Sequence, residues 1–311
     1  MSEIRFEQLE FLSADGKSRL AGYIWHAEGK APRAILQITH GMCEYIQRYD
    51  AWARRFVELG YVVCGHDHLG HGNSARGEGE LGYTAKRGGA DYLVEDAHAM
   101  TAQIRARYPD VPVVLYGHSM GSLVARLYLS RYGEELAGAL ISGTVAPGQP
   151  TGLGLMLTHA IGGVRGAHHR SRFLTSIAFG GYNKKFKEEN DPDSWLTRDE
   201  AVRRDYAKDP FCRFVFTAAG YDTLFSLLGV VSQKKWALTV PKKLPVLLFS
   251  GDMDPVGGYG KGVAEIHRRL CDAGCNASLK LYEGARHELH HELNRDEVFA
   301  DLSLYLEEIL K

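Results

Sequence analysis

Val113-Val-Leu-Tyr-Gly-His-Ser-Met-Gly121 is the stretch that decides the fold of this chain. Four apolar residues in a row read as a buried strand, Gly117-His118-Ser119-Met120-Gly121 fits the pattern Gly-x-Ser-x-Gly, and helical apolar spacing runs from Ser119 to Tyr132. A serine on so sharp a strand-to-helix turn presents its hydroxyl outward. The flanking glycines permit the tight backbone path and the close approach of helix to strand. An isolated match of this kind is a common glycine-serine turn; the strand before it and the helix after it set this one apart.

Ile4 to Leu12 and Arg19 to His26 read as a hairpin joined by Ala14-Asp15-Gly16-Lys17. Strands are predicted at Ala34 to Ile38, Tyr61 to Cys64, Val113 to Tyr116 and Gly138 to Ile141, with helices at Tyr49 to Leu59, Ala90 to Tyr108 and Ser119 to Tyr132. This alternation is that of a mostly parallel sheet with helices on both faces, an α/β fold. From about Val145 to about Pro241 the rhythm fails and glycine, histidine and aromatic residues accumulate. It resumes with a strand at Leu244 to Phe249, a helix around Gly262 to Ala273, a strand at Ala277 to Tyr282 and a helix from Asn294 to Leu310. The expected organisation is an α/β core over 1–144 and 242–311, with a mainly helical cap over 145–241.

The 311 residues carry a formal net charge of −1, with 24% charged and 45% hydrophobic residues. No excess of positive charge exists to follow a nucleic-acid backbone, so no nucleic acid is expected as a partner. Met1-Ser-Glu-Ile-Arg-Phe-Glu7 has neither the basic nor the apolar region of a secretory signal, and a cytoplasmic site is expected. The odd, scattered cysteines Cys43, Cys64, Cys212, Cys271 and Cys275 fit reduced thiols. Leu136 to Val164 holds no charged residue and is long enough to span a bilayer. Pro147, Gly148, Pro150 and the glycines at 152, 154, 162 and 163 argue instead for a buried strand and then an apolar surface segment.

Serine is a poor nucleophile at neutral pH, so Ser119 needs a base, and the base needs a group that fixes its tautomer and stabilises its cation. Leu247-Leu-Phe-Ser-Gly-Asp-Met-Asp254 places two acids after one strand, and Leu279-Lys-Leu-Tyr-Glu-Gly-Ala-Arg-His287 places a histidine after the next. The chain order Ser, Asp, His suits a strand-turn-helix serine. Asp254 is the favoured acid, with Asp252 left to hold the loop. His287 is the base, and His290 and His291 are expected to be solvated helix residues. Acyl transfer also requires donors for the developing oxyanion. The backbone N–H groups of Met120 and of Met42, in His40-Gly41-Met42 after an early strand, supply them.

With these motifs in hand, the chain resembles the monoacylglycerol lipase and lysophospholipase family of α/β hydrolases. The resemblance rests on His40-Gly41-Met42, Gly65-His-Asp-His-Leu-Gly-His-Gly-Asn-Ser74, Gly117-His-Ser-Met-Gly121, Gly251-Asp-Met-Asp254 and Tyr282-Glu-Gly-Ala-Arg-His287. In the cap, Tyr182-Asn183 and Asp191-Pro-Asp-Ser-Trp-Leu-Thr-Arg-Asp199 resemble bacterial members. The resemblance implies a hydrolase of single-chain lipid or small esters that needs no metal and no cofactor. Ser119, Asp254 and His287 match the triad, and Met42 and Met120 match the oxyanion hole. Gly41, His118, Leu153 and Met156 are the expected substrate-facing residues. Met42-Cys43-Glu44 departs from the family's usual Gly or Ala before Gly-Glu, and Gly257-Gly-Tyr-Gly260 is unusually glycine-rich.

Three rivals stand beside this reading. His66, His68 and His71 with Asp67 invite a metal hydrolase, although Asp67 and the glycine turn are explained as a loop after a strand. The bond cleaved is alternatively an amide, a peptide or a thioester, since the triad serves all acyl transfer. The third is a noncatalytic binding protein, which has no chemical need for a complete triad. The apolar start of the cap (Leu153, Leu155, Met156, Leu157, Ile161, Val164) reads as the wall of an acyl pocket, as a face in peripheral contact with a membrane, or as plain packing on the sheet. Nothing in the sequence sets an oligomeric state.

Overall fold

The computed structural model describes residues 3–311, so the first two residues of the amino-terminal stretch considered above lie outside it. Strands β1 (Ile4–Leu12) and β2 (Arg19–Ala27) form the expected antiparallel hairpin. They are followed by β3 (Ala34–Thr39), β4 (Tyr61–His66), β5 (Val113–His118), β6 (Gly138–Ser142), β7 (Val246–Gly251) and β8 (Ala277–Tyr282). All eight join one sheet in the order β1-β2-β4-β3-β5-β6-β7-β8. β2 meets β4 antiparallel, and from β4 to β8 every pairing is parallel.

The five central strands are buried along their whole length, because helices cover both faces and each face needs its own apolar residues. Alternate residues of β5 divide accordingly. Val113 and Leu115 pack with Leu93 of α2 (Gly89–Arg107) and Leu123 of α3 (Met120–Tyr132). Val114 and Tyr116 pack on the other face with Trp52 and Phe56 of the preceding helix, α1 (Asp50–Glu58).

Between β6 and β7 the chain leaves the sheet and forms α4 (Thr151–Arg165), α5 (Arg172–Phe179), α6 (Glu200–Lys208) and α7 (Ala218–Val231). Polar residues start three of these. Ser171 accepts from the Leu174 N–H, Asp199 from those of Ala201 and Val202, and Thr217 from that of Gly220, each satisfying an orphan donor of a first turn. After β7 come α8 (Lys261–Asp272) and α9 (Arg295–Ile309), which cover opposite faces through Val263 and Ile266 and through Val298 and Leu302.

The uncharged run from Leu136 divides into β6, a loop carrying Pro147 and Pro150, and α4. No helix among the described residues is long and apolar enough to cross a membrane. One expectation needs correcting, because Gly152, Gly154, Gly162 and Gly163 lie inside α4 instead of interrupting it. Tertiary contact outweighs their poor propensity: at Gly154 the Phe225 ring of α7 packs so close that a Cβ would stand 2.9 Å from it. All five cysteines are free thiols.

Candidate active site

β5 ends one residue before Ser119, and α3 begins one residue after it. To turn between them Ser119 takes φ 53° and ψ −119°, a conformation unfavourable for a residue with a side chain. Its N–H donates to the Ser142 carbonyl of β6 at 3.0 Å, which pins the turn. The neighbouring glycines are sterically required. A Cβ on Gly117 would stand 2.6 Å from the Ala125 Cβ, and one on Gly121 would collide with the Thr39 carbonyl of β3. Hence the backbone of α3 lies directly against the sheet, and the Ser119 hydroxyl stands clear of it.

The loop after β8 carries His287 to this hydroxyl, with Nε2 2.9 Å from Ser119 Oγ. The loop after β7 carries Asp254 to the other ring nitrogen, with Oδ2 3.0 Å from Nδ1. Asp254 is fully buried and is held by the Val256 N–H at 2.8 Å and the Ser250 hydroxyl at 3.2 Å. Asp252 lies apart from the histidine and accepts the Gly284 N–H at 2.8 Å, tying the two loops together. Burial presses the His287 imidazole towards neutrality. The Asp254 carboxylate, by charge and hydrogen bond, and then Glu288 and Glu44, outweigh this and carry it above its ordinary value.

The loop after β3 approaches Ser119 from the other side, and a Cβ on Gly41 would stand 3.0 Å from the Ser119 Cβ. Met42 and Met120 both line the space in front of the serine. Met120 is the first residue of α3, where helix N–H groups lack intrahelical partners and bear the positive end of the helix dipole. The loop is braced from behind: the Glu44 carboxylate accepts the Gly41 N–H and, at 3.0 Å, the Tyr49 hydroxyl. Arg48 donates to Glu44 at 3.0 Å and to both oxygens of Glu288 at 2.7 and 2.8 Å. Thus one buried guanidinium joins the Gly41 loop to the residue following His287. Burial pushes both carboxyls up; the charge and hydrogen bonds of Arg48 overcome it at Glu288, which lies well below the usual carboxylate range, but not at Glu44.

Two cavities open on Ser119. One, of about 240 Å³, is walled by Met42, Val145, Leu153, Ile177, Leu224 and Phe225, is mostly apolar and carries no charged residue. The other, of about 260 Å³, touches His287 and Glu288 and carries Gly41, His118, Asp193 and Arg213 among its walls. Trp195, Phe179 and Met42 stand between them and line both. The Trp195 ring lies 5.1 Å from that of His287.

Ser119, His287 and Asp254 therefore come together, with Gly41, Met42 and Met120 beside them. His118 packs beneath the histidine, ring centroids 4.7 Å apart, and only edges the second cavity. Leu153 lines the first cavity. Met156 does not; one turn further along α4, it is 58% exposed. His290 and His291 are not solvated helix residues. They lie in a short turn folded under α1, where His290 stacks on Tyr49 at 4.3 Å. His66, His68 and His71 are wholly buried with His40, and burial keeps all four imidazoles below their ordinary value. Among the described residues no group of three or more His, Cys, Asp or Glu is placed to hold a metal ion. Sequence reasoning missed Trp195, Arg48 and Glu288. Only the four-residue spacing of Glu44 and Arg48 gave a signal, and that is common on any helix.

Residues 30–294 match the hydrolase family described as "Serine aminopeptidase, S33". The chain is 29% identical to the monoglyceride lipase of Homo sapiens, over 97% of this chain and 91% of the relative. It is 27% identical to the monoacylglycerol lipase of Mycolicibacterium smegmatis, over 94% of each. Among solved structures, a thermostable carboxyl esterase from Bacillus coagulans in complex with glycerol superposes with a TM-score of 0.92 at 29% identity, covering 98% of this chain and 99% of that one.

Proposed function

Since the chain belongs to the serine aminopeptidase S33 family of α/β hydrolases and is a serine hydrolase of the lipase and esterase type, we propose that it cleaves monoacylglycerols, lysophospholipids or small carboxylic esters through an acyl-enzyme on Ser119. The observation that carries this reading is the unbroken line of contacts from Ser119 Oγ through His287 to Asp254, at 2.9 and 3.0 Å, opening on an apolar cavity. Ser119 attacks the ester carbonyl while His287 Nε2 takes its proton, and the N–H groups of Met42 and Met120 receive the oxyanion. His287 returns the proton to the leaving alcohol, then activates the water that releases the acid. Asp254 stays ionised throughout.

The cavity without His287 takes the acyl chain, since it offers apolar walls and no charge. The one beside His287 takes the alcohol, because the leaving oxygen must meet the imidazole proton. The segment 145–241 acts as the cap over both. Exposed Leu153, Met156 and Val164 of α4 and Phe173 and Ile177 of α5 support contact of this cap with aggregated lipid. A panel of p-nitrophenyl esters of rising chain length, a monoacylglycerol, a lysophospholipid and a peptide p-nitroanilide tests the whole reading, each lipid being assayed below and above its aggregation concentration. Ester turnover with preference for acyl chains that fill the apolar cavity is expected. Turnover of the anilide alone would replace the reading with an amidase, and equal rates on dispersed and aggregated lipid would remove the membrane contact.

A base at His287 also fixes the pH profile. Only the neutral imidazole accepts the serine proton, so kcat/KM rises with pH through the His287 ionisation. The Asp254 pairing places that limb above 6.5. A limb centred below 6.5 on an ester with a non-ionising leaving group would show that Asp254 does not act on the histidine.

A further inference from the structure

The cavity beside His287 holds one charged pair that the reaction scheme leaves unused. Asp193 is 7% exposed and Arg213 faces it across the cavity wall, Nε 3.2 Å from Oδ2. The two are in contact without the alignment of a hydrogen bond, and Asp193 Oδ2 has no hydrogen-bond partner. The neighbouring Arg203 Nε, 2.8 Å from Asp191 Oδ2, is likewise in contact without a hydrogen bond, but the arginines around the pair hold other hydrogen bonds. Arg286 donates to Glu189 and to the Ser194 carbonyl, and Arg203 to Glu189 and the Thr197 carbonyl, so these arginines lace loops together. Asp193 and Arg213 meet only in their ion pair; no side-chain hydrogen bond of either is found among the described residues.

Two costs accompany the arrangement. A buried carboxylate oxygen without a donor is unfavourable and calls for an explanation. Arg213 also sits at φ 52°, in the left-handed region that residues with side chains avoid, and strain of this sort gathers where a side chain has to be aimed. A ligand that brings a donor to Asp193 and an acceptor to Arg213 offsets the first cost, and the aimed guanidinium accounts for the second. Adjacent hydroxyls do both at once, since each O–H donates and each oxygen accepts. A phosphate does only half: it accepts from Arg213 but sets its charge against Asp193. Glu288 and Glu44 line the same cavity, and the guanidinium that balances them, Arg48, is already engaged behind the wall.

We propose that Asp193 and Arg213 form the leaving-group subsite, selecting a neutral alcohol with adjacent free hydroxyls and disfavouring one that carries a phosphate. The proposal rests on the ester-hydrolase reading above and names the chemistry of its alcohol half.

Its test uses three esters of one acyl chain: the glycerol monoester, the methyl ester and the lysophosphatidate. Wild type is expected to favour the glycerol ester in kcat/KM. Asp193→Asn, which keeps the side-chain shape, is expected to lower the glycerol-to-methyl ratio about tenfold and to raise the lysophosphatidate-to-methyl ratio. Arg213→Gln is expected to lower the glycerol-to-methyl ratio as well, without the gain on lysophosphatidate. Thermal melts establish that the variants fold, and Asp193→Ser serves if Asn does not. Methyl-ester turnover with unchanged ratios in both variants would overturn the subsite and leave the ester-hydrolase reading intact. No wild-type turnover of any of the three esters would overturn both.

Discussion

Ser119→Ala is expected to lower kcat/KM on an activated ester by about 10⁶, and Ser119→Ala combined with His287→Ala to lower it no further. The two side chains are one device: at 2.9 Å the imidazole has no proton to take once the hydroxyl is gone, and the hydroxyl has no base once the imidazole is gone. What is expected to survive either change is binding in the two cavities and the proposed oxyanion donors at Met42 and Met120, which would supply a common residual rate. Asp254→Asn is expected to cost about 10⁴, because the amide favours the wrong tautomer at Nδ1 and leaves the imidazolium without a counter-charge. Asp252→Asn replaces a carboxylate that accepts only the Gly284 N–H, and an amide oxygen does the same. Its rate is expected to stay within about tenfold of wild type. Steady-state rates with a matched thermal melt for each variant decide the matter. Turnover in Ser119→Ala near that of wild type would remove the serine from the mechanism, and a larger loss at Asp252 than at Asp254 would reverse the acid assignment.

The strands of the sheet were legible because burial on both faces leaves unbroken apolar runs, and no other local signal competes with them. Their ends were less so. β4 and β5 run on to His66 and His118, polar residues that a composition argument excludes from a buried strand but that the structure encloses as neutral rings. The Ser119 turn was legible for the same reason its glycines are needed, since a strand meeting a helix with no linker leaves few alternatives. Asp254 was favoured over Asp252 from the sequence, but hydrophobic periodicity alone does not separate the two. Both follow β7 in one loop, and only the direction in which the loop turns separates them. Trp195 has no periodicity to betray it. Glu288 joins Arg48 across 240 residues of chain, and such pairing leaves no trace in either neighbourhood. His290 and His291 misled because proximity to His287 suggested a surface helix, whereas the turn tucks under Tyr49 and Trp52.

Those enclosed histidines set the second large effect, a steep loss of stability in mild acid. His40, His66, His68, His71, His118, His290 and His291 are all held below their ordinary value, chiefly by burial, His66 at about 3 and His71 and His291 at about 4. In the unfolded chain each takes a proton near pH 6.5. Below that pH the unfolded state therefore binds more protons than the native one, and stability falls as pH falls. Four buried carboxyls act in the opposite sense. Burial raises Asp67 to about 6 and Asp96 to about 7, and raises Glu44 and Asp193 as well, so the native state gains these protons before the unfolded state does. His287, raised instead of lowered, titrates above the window and adds no slope within it. Seven histidines against four carboxyls leave a net uptake on unfolding of about three protons near pH 5, or about 4 kcal/mol per pH unit. A domain stable by about 5–15 kcal/mol at neutral pH then unfolds cooperatively within about one to four units below pH 6.5. Urea unfolding at pH 7.0, 6.0 and 5.5 measures the slope directly, and a free energy flat across that range would mean that the rings are protonated or solvated in the native state. His66→Leu refines the test: neither ring nitrogen of His66 has a hydrogen-bond partner, so the exchange removes one proton from the balance and no native bond. It is expected to lower the acid slope by about 1.4 kcal/mol per pH unit while leaving the fold at pH 7 intact.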